Sequence, residues 1–233
     1  MTPQAQPTID EALSQFLAEQ HERLSERTFR NYDYVVELLR HSLDGYAYSS
    51  LDDSEGRRWQ KAFDSGDEQA FCRLFGPEKI PEHLGEFLDY FMVRKVIAGQ
   101  ELLRASGTVT GKLVRWLAAR GYVDAEAAED ATERAHDASR DLPTADRLGS
   151  LLSDVADRAP EIDIDALDEE DWVEDSLQIS DVQPGQIWFE GDIGPITVPR
   201  KVSDLARPGW SVFVTLARTA GSWHLLEVGF VYP

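Results

Sequence analysis

The sequence predicts an α+β protein: a helical bundle over residues 1–158, an acidic linker over 159–179, and a small β-barrel of SH3-like or OB-like type over 180–233. Three observations carry this reading. Up to about residue 158 apolar side chains recur at three- and four-residue steps, the spacing of one helix face. From about Ser180 they alternate, the spacing of a strand with one buried side. Between the two regimes, residues 154–175 carry 11 acidic side chains against one basic. A structureless connection of about 20 residues is long inside one compact domain, which favours two domains.

In the helical block, Thr8 with Glu11 three residues on forms a capping box ahead of Leu13, Phe16 and Leu17. A second start falls at Ser25, from which Phe29, Tyr32, Val36, Leu39 and Leu43 make one stripe up to Asp44-Gly45. Trp59 with Phe63, and Phe71 with Phe75, mark two short helices before Gly76-Pro77. Pro81 suits the first turn of the next, whose face is Leu84, Phe87, Leu88, Phe91 and Met92. A turn is expected around Ser106-Gly107, then a helix through Leu113, Trp116 and Leu117 that Gly121 ends. The thin stripe Ala127, Ala131, Ala135 and Ala138 suits close approach to a neighbour, and Leu148, Leu151, Leu152 and Val155 mark a last helix.

In the β block, Ile187 to Phe189, Ile196 and Val198, Trp210 to Val214, and Trp223 to Val231 read as strands. Turns at Gly191-Asp192, Arg207-Pro208-Gly209 and Ala220-Gly221 divide them. A core this small needs its large rings, so Trp188, Trp210 and Trp223 are expected to face mostly inward.

Of the 233 residues, 43 are acidic and 23 basic, a formal net charge of −20, which excludes an overall basic nucleic-acid coat and a polybasic membrane binder. A single cysteine, Cys72, allows neither an internal disulfide nor a thiolate metal cage, and suits a reducing compartment. No apolar run approaches the ~18 residues of a membrane span, and the polar N-terminus has no leader pattern, so a cytoplasmic protein without membrane attachment is expected.

Catalytic patterns are missing. The five histidines, at 21, 41, 83, 136 and 224, show no metal-binding spacing. There is no nucleophile elbow, dinucleotide fingerprint or phosphate loop; the stretch 107–112 lacks the spacing and the terminal hydroxyl. The expectation is a non-enzymatic protein with no catalytic residue, no cofactor and no metal site. Against the calcium-loop template, Asp163, Asp165 and Glu174 fit positions 1, 3 and 12, but Leu167 and Asp168 occupy positions 5 and 6, where an acid and a glycine are required.

Two charged clusters remain as candidate sites. Arg94, Lys95, Arg104, Lys112, Arg115 and Arg120 stand against one acid, Glu101, and make a candidate nucleic-acid face; a helix–Gly turn–helix reading of 101–117 fits the same residues. They also read as a solvated face paired with acidic neighbours, the blander reading of such a run. In the acidic run, Asp168, Glu169, Asp171, Trp172 and Glu174 make a candidate docking segment for a basic groove, on a protein partner or on this chain's own basic face. They also read as an extended linker held open by its own repulsion, the blander reading of such a run.

The pattern over residues 9–43, a short helix, then Leu24-Ser25-Glu26-Arg27-Thr28, then Tyr32 on an amphipathic helix, resembles the opening of the SAM-like core-binding domain of tyrosine recombinases. Residues 84–122, ending in Leu113, Trp116, Leu117 and Gly121-Tyr122, look like its later helices. The resemblance covers about a third of the chain and implies a helical DNA clamp. The family's catalytic Arg, His-x-x-Arg and Tyr series has no counterpart after residue 150, so it implies no catalytic role. The primary expectation is therefore a protein-interaction or adaptor protein, and the alternative a DNA-associated accessory protein using the 94–120 face.

Overall fold

The computed structural model describes residues 6–233; residues 1–5, on which part of the reading of the N-terminus rests, lie outside the described residues. The chain divides into two compact units, Met1–Arg140 and Asp141–Pro233.

The first unit is helical, and its caps are those expected. Thr8 and Glu11 close a reciprocal capping box on α1 (Ile9–His21), and Ser25 caps α2 (Glu26–Tyr46). The buried faces of α1 and α2 meet where Phe16 stacks on Tyr32, ring centroids 6.0 Å apart. Arg40 ties the two helices from the side: its Nε lies 3.0 Å from Asp10, and Nη2 donates to Ser14 at 2.9 Å. The short helices follow as α3 (Asp53–Asp64), α4 (Ala70–Leu74), α5 (Ile80–Gly85) and α6 (Met92–Arg94), with a π turn over Glu86–Phe91. Leu84, Phe87, Leu88, Phe91 and Met92 are all buried, so the expected apolar face holds through that turn.

The expected break at Ser106-Gly107 does not exist. α7 (Gln100–Ala119) is one continuous helix, which removes the helix-turn-helix reading. The glycines are there for packing: a Cβ at Gly107 would sit 2.4 Å from the Ala135 carbonyl oxygen and from the Ser139 nitrogen. A Cβ at Gly111 would lie 3.3 Å from the Ala135 Cβ. Opposite them runs α8 (Ala125–Ala156), with Ala131, Ala135 and Ala138 buried as the thin stripe predicts. Small residues on both helices let the backbones approach, and that contact offsets the weak helix propensity of glycine.

A second correction concerns α8 itself, which the sequence divides into an alanine-rich helix and a separate last helix. The structure makes it one helix of 32 residues with Pro143 inside, the position where proline deletes one backbone hydrogen bond. Its stretch from Asp141 onward belongs to the second unit, where Leu148 and Leu152 join the barrel core.

The barrel is closed, with strand order β1-β2-β3-β5-β4 among the described residues. β1 (Trp172–Gln183) pairs with β4 (Ser211–Thr219) along its first part and with β2 (Gln186–Phe189) along its second. β3 (Ile193–Thr197) runs parallel to β5 (Ser222–Tyr232), and the short α9 (Arg200–Ser203) lies between β3 and β4. One strand shared by both sides, a helix after β3 and a parallel β3/β5 closure define the OB-type Greek-key barrel, which settles the choice left between SH3-like and OB-like. Leu177, Ile179, Ile187, Phe189, Ile196, Val212, Val214, Leu216, Leu225 and Val231 fill it. Of the three tryptophans, Trp210 is buried and Trp223 packs against the core. Trp188, between inward Ile187 and Phe189, instead lies over Gly194, where an added Cβ would come within 2.8 Å of its ring.

The barrel begins earlier than the sequence suggests. Residues 172–179, expected in the linker, are strand, and what remains between α8 and β1 contains two three-residue 3₁₀ turns, Ile164–Ala166 and Glu169–Asp171. Three successive exposed positions, 174–176, mask the strand period at its start, and a bulge between Ile179 and Asp181 shifts the inward position beyond it.

Candidate functional site: two charged surfaces of opposite sign

The six basic residues do not form one face. Arg94 and Lys95 lie at the end of α6, both near the ring of Tyr90, at 5.8 and 5.9 Å from its centroid. Arg120, just past α7, pairs with Glu19 and lies 4.2 Å over the Trp116 ring. That leaves Arg104, Lys112 and Arg115, which with Thr108 follow one exposed stripe of α7 at three- and four-residue steps. Glu101, the one acid of the stretch, pairs with Arg27 and accepts from Asn31 at 3.2 Å.

The structure adds a residue that sequence spacing could not find. Arg23, just beyond α1, joins Lys112 and Arg115 around a pocket of about 300 Å³ floored by Phe16, Leu24 and Trp116. Lys112 Nζ is held by the buried Tyr32 hydroxyl at 2.6 Å, and Trp116 donates its indole N–H to Glu19 at 2.8 Å. That indole bond, together with Arg120, holds the Glu19 carboxyl below its ordinary pKa, so it stays ionised.

In the second unit, the candidate docking residues separate by role. Trp172 and Glu174 belong to β1, opposite Ala217 and Thr215 of β4. Asp171 accepts from Arg218 at 2.7 Å, and Arg218 lies 5.5 Å from the Trp223 ring centroid, so the acidic run is fastened to the barrel at its last turn. Asp168 and Glu169, with Asp163, Asp165 and Glu170, are exposed and make no ion pair among the described residues. In OB-type barrels generally, the face of β2 and β3 takes oligonucleotides or oligosaccharides. In this barrel Asp181, Glu190 and Asp192 stand exposed around Trp188, an unfavourable field for phosphates.

Two groups capable of covalent or acid–base chemistry, Cys72 and His83, are buried. Cys72 is buried, and burial beside Asp44 pushes its thiol far above the usual range; its backbone N–H donates to that carboxylate at 2.9 Å. Burial raises the pKa of Asp44. His83 is buried and its pKa lowered, chiefly by desolvation. Ser50 Oγ lies 3.1 Å from His83 Nε2, but Glu82 approaches the same nitrogen, at 3.3 Å. Among the described residues no carboxylate is bonded to the ring at Nδ1, the contact a serine–histidine relay requires. Among the described residues no group of three His, Cys, Asp or Glu side chains is placed to hold a metal ion, and no helix is long and apolar enough to cross a membrane.

No family model, curated protein or solved structure matches this chain. No catalytic family is identified, and the resemblance to recombinase core-binding domains rests on the residue pattern of 9–43 and 84–122 alone.

Proposed function

We propose that this protein is a non-enzymatic, cytoplasmic interaction protein whose OB-type barrel, with the acidic run leading into it, engages a basic surface on a protein partner. The observation that carries the reading is the display of that acid. Five exposed carboxylates without internal partners precede a residue, Asp171, that is fastened to Arg218, and the strand that follows carries exposed Glu174 and Asp175. A charged segment anchored at one end loses less conformational freedom on binding than a free linker, and its field steers cationic partners toward the barrel.

Backbone amide shifts of the full chain during titration with a Lys/Arg-rich peptide test it. Shifts are expected over residues 161–175 and along β4, with none on α7. Shifts confined to the helical unit, or none at moderate salt, contradict the reading.

A second reading is favoured by the α7 stripe: DNA contact through Arg104, Lys112 and Arg115. About three phosphates are contacted in that case, so log affinity would fall with log salt at a modest slope of about −3, and binding would be lost in Arg104→Ala. Duplex binding with those two properties would favour it over the first.

A further inference from the structure

The geometry points to the pocket between α1 and α7 as a binding site for a small phosphate monoester, with Arg23, Lys112 and Arg115 holding the phosphate and Phe16, Leu24 and Trp116 receiving its apolar carrier.

Charge sets the pocket apart from the rest of the chain. In a protein of net charge −20, its lining contains three cations and no carboxylate. The acid closest in role, Glu19, is taken up by the Trp116 indole and by Arg120. Arg115 also borders a wider depression containing Glu129, Glu133 and His136, and is ion-paired to neither glutamate.

The aromatic wall and the lysine are held in place before any ligand arrives. Phe16 is 1% exposed and packs edge-on against Trp116, centroids 5.6 Å apart, while Tyr32 fixes Lys112. Two arginines and a lysine lining one pocket suit a tetrahedral dianion, since arginine forks bind phosphate oxygens in pairs and lysine adds a point charge. The volume of about 300 Å³ is at the small end for ligand pockets, which suits one phosphate with a ring-sized carrier and not a nucleic-acid strand. This site is independent of the barrel's proposed role.

The test follows the indole ¹H–¹⁵N signal of Trp116 in the full-length protein, assigned by loss in Trp116→Phe, with phenyl phosphate, inorganic phosphate and phenol as probes. Phenyl phosphate is expected to move this signal saturably, inorganic phosphate to bind more weakly, and phenol to leave it unmoved. Arg23→Ala and Arg115→Ala, both at exposed positions, should each weaken phenyl phosphate binding about tenfold, and Arg104→Ala, on the same helix but outside the pocket, should leave it unchanged. Binding should also weaken below about pH 6, where the monoester takes up its second proton. The inference is overturned if phenyl phosphate produces no shift at millimolar concentration, if phenol shifts the signal equally, or if neither arginine variant weakens binding.

Discussion

Gly107 is the residue whose role is most exposed to test. Replacing it with alanine improves intrinsic helix propensity by about 1 kcal/mol but forces a methyl group onto the α8 backbone. Backbone cannot swing aside as a side chain can, so Gly107→Ala is expected to destabilise the helical unit by about 2–3 kcal/mol in denaturant unfolding, while Gly111→Ala, facing only the Ala135 methyl, costs under about 1 kcal/mol. Equal effects at the two positions would contradict the close approach of α7 and α8. His83 gives a pH signature. Its folded-state pKa lies below the ordinary value of 6.5, so the unfolded chain takes up the proton first. Its contribution is intact above pH 6.5 and is lost as pH falls from there through the folded pKa. In His83→Gln that part of the acid-side decline should disappear, measured as the difference between the two urea-unfolding profiles. Asp44, with its raised pKa, works in the opposite sense: protonating it favours the folded chain, which is why the comparison must be with the single variant.

At the scale of elements, what the sequence showed and what it hid have separable causes. Caps and single-faced stripes were legible because they depend on local spacing: Thr8 and Glu11, Ser25, and the Tyr32–Leu43 stripe all stand where expected. The continuity of α7 was not, because a glycine that serves a neighbouring helix looks the same in one dimension as a glycine that ends its own. β1 was hidden twice, by the acids at its start and by the bulge after Ile179. Of the site, Lys112 and Arg115 could be read from charge, whereas Arg23 is brought to them only by packing of α1 on α7. The Asp171–Arg218 pair belongs to this scale as well. Both side chains are partly exposed, so solvent screening limits the pair to about 1 kcal/mol. Its value lies in local order: Arg218→Ala should speed amide exchange over Glu169–Asp171 several-fold and leave the β4–β5 amides protected. Unchanged exchange in that turn would mean that the acidic run is held by something else.

For the whole molecule, charge is the organising quantity. A net charge of −20 is spread unevenly: the helical unit keeps a cationic pocket, while the barrel unit presents its acid on the approach to β1 and around Trp188. The most direct measurement is the affinity of the full chain for a Lys/Arg-rich peptide, across a salt series, in two variants of equal charge. One neutralises Asp163, Asp165, Asp168, Glu169 and Glu170 to their amides; the other neutralises Glu68, Glu78, Glu129, Asp130 and Glu133 in the helical unit. The account predicts that the first weakens binding tenfold or more at moderate salt while the second changes it little. Equal losses would show that only net charge matters, and would contradict a docking surface on the barrel.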